Sequence, residues 1–287
     1  METIILQANA KINLTMDVLR RRADGYHDVD LLMQSVTLHD TLKIEKSDTL
    51  SLTIDGGLAV SDNNLILRAA RMLAQQAGIE PKAAIHLIKR IPVAAGLGGG
   101  SADAAAAFVG LNRMWGLNLS TDELCALGAK LGADVPFCIV GGCCRAEGIG
   151  TELTAVESRL PLHVLIVKPC EGLMTKEIYG GLHLTAETVH PDTAAAIRVM
   201  ESGSMEQLIP QLGNVLEPVA AARQPEITEV IGKLNAFGAR YARMSGSGSA
   251  VFGLFDTDEQ VRTVCDVLAR EYAECYSAQS AEKGVEE

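Results

Sequence analysis

The chain reads as a mixture of strands and helices in two units, and three observations predict this. The opening quarter alternates apolar and polar residues with the period of strands. A strand, a glycine loop and an alanine-rich helix then follow in that order from Ala84 to Trp115. The second half is mostly helical around a strand, Gly-Ser loop and strand near Ala242 to Phe255. A polar stretch beyond Gly150 places the boundary near 155, dividing the chain into 1–155 and 156–287. At 287 residues, 48% hydrophobic and 21% charged, it has ample apolar material for a core without disulfides.

Between Lys11 and Leu19, apolar Ile12, Leu14, Met16 and Val18 alternate with Asn13, Thr15 and Asp17, which predicts a half-buried strand. Asp24-Gly25 marks a turn, Val29 to Leu38 reads as a second strand, and Leu42 to Ile54 reads as a hairpin broken at Ser47-Asp48. Ser61-Asp62-Asn63 offers caps for a helix in which Leu65, Ile66, Ala69, Ala70, Met72 and Leu73 recur at helical spacing, with Gly78 as its stop. A strand from Ala84 to Ile91 leads into the glycine loop and the helix that reaches Trp115. Ser120-Thr121-Asp122-Glu123 is a capping box for a helix ending at Gly132, after which Ala133-Asp134-Val135-Pro136 opens another segment. Beyond the boundary come a strand over Leu162 to Val167 and a helix over about 258–272, and the residues after Ala278 read as a frayed polar tail.

Composition excludes several classes. Lys plus Arg number 25 against 36 Asp plus Glu, a net charge of −11, so neither nucleic acid nor an anionic membrane surface is an expected partner. Seven cysteines form no CxxC or Cys/His ladder, which argues against zinc and against a disulfide framework; Cys143 and Cys144 read as small apolar strand residues. No window approaches the roughly 20 apolar residues of a membrane helix. The chain passes from Met1 straight into a strand pattern, without a basic and then apolar leader, so a cytoplasmic location is expected. Nothing in the sequence identifies a protein partner.

The most informative stretch is Pro92 to Asp103. Gly96, Gly98, Gly99 and Gly100 let backbone amides approach a ligand, and the helix opening after them adds orphan N–H groups and a positive dipole end. That combination suits phosphate. A tight turn or close helix packing accounts for one or two glycines, not for four followed by Ser101. A Walker loop requires lysine before the hydroxyl residue, where Gly100 stands, and a dinucleotide fingerprint requires glycine at 101. A Rossmann oxidoreductase is therefore only the runner-up.

Pro92 to Ala104, read as P-x-x-x-G-L-G-G-G-S-A-D-A, resembles the nucleotide loop of the GHMP kinases. Ala8-Asn9-Ala10-Lys11-Ile12-Asn13-Leu14 and Arg22-Ala23-Asp24-Gly25-Tyr26-His27 resemble, more narrowly, the 4-diphosphocytidyl-2-C-methyl-D-erythritol kinases of that superfamily. Leu131 to Phe137 and Met244 to Gly253 agree, so the match spans residues 8–255. The resemblance implies an α+β fold, with a β-rich nucleotide-binding amino-terminal domain, an α/β carboxy-terminal domain and the active site in the cleft between them. It implies transfer of the γ-phosphate of ATP to the 2-hydroxyl of the cytidylated sugar alcohol, a step of the non-mevalonate route to isoprenoid precursors. ATP is then a co-substrate, and Mg²⁺ arrives with it rather than in a dedicated cage, with the Ser101 hydroxyl as a candidate contact.

By the same resemblance, Asp134 faces the acceptor hydroxyl and Lys11 lies beside it, a cation that keeps the carboxylate ionised and attracts the γ-phosphate. Pro92, Val93, Ala94, Ala95, Gly96, Leu97, Gly98, Gly99, Gly100, Ser101 and Ala102 match the ATP loop, while Asn64 and Lys89 match positions near adenine. Asn13 shares the strand face of Lys11. Tyr26 and His27 match a cytidine-recognising pair, and Tyr179, four residues beyond Thr175, matches a second aromatic against the base. Gly246, Ser247 and Gly248 match the floor of the site. Three departures stand out. Met33 occupies an often aromatic place, so one wall of the cytidine pocket is expected to differ, Asp103 stands where a neutral Asn also occurs, and Arg20-Arg21-Arg22 could meet the substrate diphosphate or simply be a solvated face. Another small-alcohol kinase of the superfamily, or a non-catalytic nucleotide sensor of the same fold, remains open at this point. Tyr26 and His27 weigh against the first, and Lys11 together with Asp134 against the second.

Overall fold

The computed structural model describes residues 3–55 and 60–287, so the expectation that the chain enters a strand straight from Met1 lies partly outside the described residues. Strands β1 (Thr3–Arg21) and β2 (His27–Glu45) pair antiparallel along nearly their whole length around the turn at Asp24-Gly25. After β3 (Leu50–Ile54) come α1 (Leu65–Ala77), β4 (Ala83–Ile88), α2 (Gly99–Met114), α3 (Thr121–Leu131), α4 (Val135–Val140), β5 (Cys143–Glu147) and β6 (Glu152–Val156). The chain then continues through β7 (His163–Val167), α5 (Thr175–Gly180), α6 (Thr193–Ser202), α7 (Met205–Leu208), β8 (Gly213–Asn214), α8 (Glu217–Arg223) and α9 (Glu226–Ala236). It ends with β9 (Tyr241–Met244), β10 (Val251–Phe255), α10 (Asp258–Leu268), β11 (Cys275–Gln279) and β12 (Val285–Glu286).

Two sheets organise these elements into a two-domain α+β fold. The larger runs β12-β1-β2-β4-β3, with β5 beside β2, β6 beside β5 and β8 beside β1. The smaller is antiparallel, in the order β11-β7-β10-β9. Helix α2 is buried nearly all round through its run of alanines, as its composition requires, and packs on β1 and α1. Small side chains there let the glycine loop at its head sit directly over the sheet.

Several expectations need correcting. The polar face of β1 is not solvated: Asn9, Lys11, Asn13, Thr15 and Asp17 are all buried. That face meets residues from the second half of the chain, with the Asn13 amide donating to Ser245 Oγ, Thr15 hydrogen-bonded to Thr193, and His190 to Asp17. The segment from Leu42 to Ile54 is not a hairpin. β4 takes the edge of β2, and β3 joins β4 in parallel instead. Asn64, rather than Ser61 to Asn63, caps α1, by accepting the Ile66 amide. The polar stretch after Gly150 contains β6, paired with β5. The last helix stops at Leu268, and the tail is not frayed, because β11 and β12 complete one sheet each and the Asn9 side chain binds Lys283 O and Glu286. Met33 is fully buried and forms no cleft wall. Among the described residues, no helix is long and apolar enough to cross a membrane.

Candidate active site

The glycine loop leaves β4 at Lys89 and enters α2 at Gly99, and each of its bends has a physical reason. Gly96 has φ +77°, and a Cβ there would stand 2.1 Å from the Ser245 carbonyl oxygen, so only glycine fits. Gly98 caps α2 in the left-handed region with no side-chain acceptor. The amides of the first helical turn are therefore free to face a ligand. Three hydrogen bonds hold the loop against its neighbours: Lys11 N to Leu97 O at 3.0 Å, Ser245 Oγ to Gly96 O at 3.1 Å, and Ala250 N to Ala95 O at 3.1 Å.

Lys11 and Asp134 meet at the same place from different elements. Lys11 projects from β1, 4% exposed, and its Nζ lies 3.7 Å from Asp134 Oδ2 and donates to Asn13 Oδ1 at 2.6 Å. Asp134 precedes α4, yet its side chain makes no cap hydrogen bond, which leaves the carboxylate available in the cleft. A Cβ on Gly246 would lie 3.2 Å from both Lys11 Nζ and Asn13 Oδ1, so the Gly-Ser loop between β9 and β10 floors this pair. Asn214 fixes that loop by donating to the carbonyls of Met244 and Gly246.

At the far end the His27 and Tyr179 rings are 5.1 Å apart and tilted by 36°. Burial first, then the nearby Arg21 charge, holds the His27 imidazole below its ordinary pKa, and burial pushes the Tyr179 phenol up. Tyr26 stands at the rim, 61% exposed. Thr175 Oγ1 and Ser247 Oγ lie 2.9 Å apart and join α5 to the Gly-Ser loop.

Lys11, Asn13, Asp134, Tyr26, His27, Thr175, Tyr179 and Ser247 line one cleft of about 1430 Å³, which is more than a single drug-sized ligand fills and has room for a nucleotide beside an acceptor. Pro92 to Ser101, Asn64, Lys89 and Gly246 to Gly248 line it as well. Ala102 does not. It is fully buried, and its amide donates to Gly98 O, so it supports the loop from behind. Asn64 and Lys89 reach the cleft with Asn64 Oδ1 engaged as the α1 cap and Lys89 paired with Asp40 and Asp103. Burial pushes Asp103 up to about 8, opposed by Lys89 and reinforced by Asp40.

Sequence reasoning missed Asp40, which is fully buried and accepts the Arg90 and Ile91 amides beneath the loop. It also missed the bridging role of Ser245 and the apolar wall of Ile54, Leu65 and Leu87. The apolar periodicity at Ile54 and Leu65 was visible, but nothing in it pointed to a ligand. Among the described residues, no group of three or more His, Cys, Asp or Glu could hold a metal ion.

The GHMP kinases N terminal domain matches residues 64–142, and the GHMP kinases C terminal domain matches residues 194–274. The 4-diphosphocytidyl-2-C-methyl-D-erythritol kinase of Alkaliphilus oremlandii is 38% identical across 100% of this chain and 99% of its own length. That of Pelotomaculum thermopropionicum is 44% identical across 90% of this chain and 91% of the relative. The crystal structure of a 4-(cytidine 5'-diphospho)-2C-methyl-D-erythritol kinase, 32% identical, superposes with a TM-score of 0.83 over 97% of this chain and 100% of that one. A homoserine kinase from Cytophaga hutchinsonii, 18% identical, shares the fold with a TM-score of 0.76 over 100% of this chain and 97% of its own. The chain belongs to the GHMP kinases and, within them, to the 4-diphosphocytidyl-2-C-methyl-D-erythritol kinase family.

Proposed function

We propose that the protein transfers the γ-phosphate of ATP to the 2-hydroxyl of 4-diphosphocytidyl-2-C-methyl-D-erythritol, releasing ADP, in the non-mevalonate route to isoprenoid precursors. The observation that carries this reading is the Lys11–Asp134 pair, 3.7 Å apart at the mouth of the glycine-loop amides in one cleft.

Phosphoryl transfer asks mainly for positioning and charge neutralisation. The first-turn amides of α2 and its dipole hold the triphosphate. Asp134 accepts a hydrogen bond from the acceptor hydroxyl and takes or orients its proton as the oxygen attacks. The bond from that oxygen to the γ-phosphorus forms, the bond to the β,γ-bridging oxygen breaks, and ADP carries the leaving electrons away. Lys11 stabilises the charge that develops on the transferred group, and Asn13 holds the ammonium in place. Mg²⁺, delivered with ATP, supplies charge neutralisation on the phosphate oxygens.

Because burial depresses the His27 pKa, its imidazole is neutral at pH 7 and offers one donor and one acceptor, which suits the edge of cytosine. Tyr26 and Tyr179 offer ring faces to the base. We place the protein in the cytoplasm, where its seven free thiols stay reduced.

An ADP-release assay across a panel of alcohols tests the assignment. Turnover with the cytidylated sugar alcohol and none with mevalonate or homoserine is expected. Comparable turnover with either of the latter contradicts it.

A further inference from the structure

Among the described residues, the lysines and arginines lining the cleft are Lys11, Arg21, Lys89 and Lys176. Lys11 is held by Asn13 and Asp134, and Lys89 by Asp40 and Asp103. Arg21 and Lys176 have no hydrogen-bond or ion-pair partner for their side chains among the described residues. Nearby carboxylates are already taken. Asp28 binds Arg20 and Arg22, Asp24 binds Arg22 and the Tyr26 amide, and Glu177 binds Arg223.

Strand register explains why the arginine run divides this way. Arg20 stands opposite Asp28 and Arg21 opposite His27. Cross-strand partners share a face and successive residues alternate, so Arg21 goes with His27 while Arg20 and Arg22 go with the acidic side. Lys176 sits three residues before Tyr179 on α5, a spacing that puts both on one helical face. The His27 and Tyr179 rings are 5.1 Å apart, and the two unpaired cations line the same cleft from the elements that carry those rings, Arg21 from the β1–β2 hairpin and Lys176 from α5.

A neutral base needs no such charges. The molecule as a whole is anionic, at −11, and repels a diphosphate unless local cations oppose that field. We propose that Arg21 and Lys176 clamp the diphosphate of the acceptor, one from each wall, and so make the site select a nucleoside diphosphate over the bare nucleoside. The proposal rests on the cytidine-end reading given above. Arg21 contributes a planar fork that can bind two phosphate oxygens, and Lys176 a compact mobile charge.

Calorimetric titration with cytidine and with cytidine 5'-diphosphate tests it, on the native chain and on Arg21→Gln, Lys176→Gln, the double variant and an Arg20→Gln control. The native chain binds the diphosphate more tightly than cytidine, and that preference weakens with added salt. Each single variant loses about tenfold in diphosphate affinity and the double variant more, as expected for charge-assisted contacts. Cytidine affinity, the KM for ATP and the Arg20→Gln protein stay as in the native chain, and Arg21→Lys recovers part of the loss. Equal affinity of the native chain for both ligands, or an undiminished preference in the double variant, overturns the clamp and leaves the kinase assignment standing. Failure of the native chain to bind either ligand overturns the cytidine reading and the clamp with it.

Discussion

The two ends of the cleft are built differently. At the transfer end, Lys11, Asn13, Ser245 and Ser247 are buried, and hydrogen bonds from β1 and the Gly-Ser loop fix the backbone of the glycine loop before any ligand arrives. At the base end, Tyr26, Arg21 and Lys176 are exposed, and the β1–β2 hairpin meets α5 through the His27–Tyr179 ring contact. On the proposed reading, phosphoryl transfer belongs to the prebuilt end. The same reading gives substrate choice to the open one, where exposed side chains can change without disturbing the core.

That contrast predicts that substitutions split cleanly by kinetic constant. Lys11→Met removes the buried cation of the transfer end, and we expect kcat to fall by about 10²–10³-fold with the acceptor KM nearly unchanged. At the open end, His27→Ala combined with Tyr179→Ala is expected to raise the acceptor KM by about 10–100-fold while kcat at saturation stays within a few-fold. If that double variant instead lost kcat as Lys11→Met does, the two ends would not be separable. Ser245→Ala sharpens the comparison, because it leaves the Gly96 carbonyl and the Asn13 amide without their shared partner. A loss of about 1–3 kcal/mol in denaturant stability is expected, together with a several-fold rise in the KM for ATP.

A pH-dependent effect concerns the buried carboxyl beneath the loop. Burial lifts Asp103 to about 8 when folded, against about 4 for an ordinary carboxyl, so between those values the folded state binds more protons than the unfolded one. Stability contributed at this position therefore declines as pH climbs through that window. Asparagine carries no such penalty. The melting temperature of Asp103→Asn relative to the native chain is expected to climb by several degrees between pH 5 and pH 9, and a flat difference would show that Asp103 does not titrate in that window.

The glycine loop was legible in the sequence because its signal is local, four glycines before a helix, whereas Lys11 and Asp134 were singled out by the family resemblance, since a lone strand lysine and an aspartate ahead of Val135-Pro136 say little by themselves. What resisted reading depends on partners distant in the chain. Alternation in β1 implied one wet face, but that face is covered by Thr193, His190 and Ser245, which no local pattern announces. Asp40 gave no sign of its role because its donors lie 49 to 51 residues away. The tail looked frayed since β12 is only two residues long and is held by Asn9 at the opposite end of the sequence. Ala102 belongs to the loop motif yet faces the core, a distinction set by helix phase rather than by residue type.

Rapid-quench measurement of a single turnover by Asp134→Asn, with ATP and the cytidylated acceptor both saturating, bears most directly on the Lys11–Asp134 pair. A transfer step slowed by at least about 10²-fold, with ATP affinity as in the native chain, is the predicted result. A burst of phosphorylated product at the native rate would contradict the role given to that carboxylate.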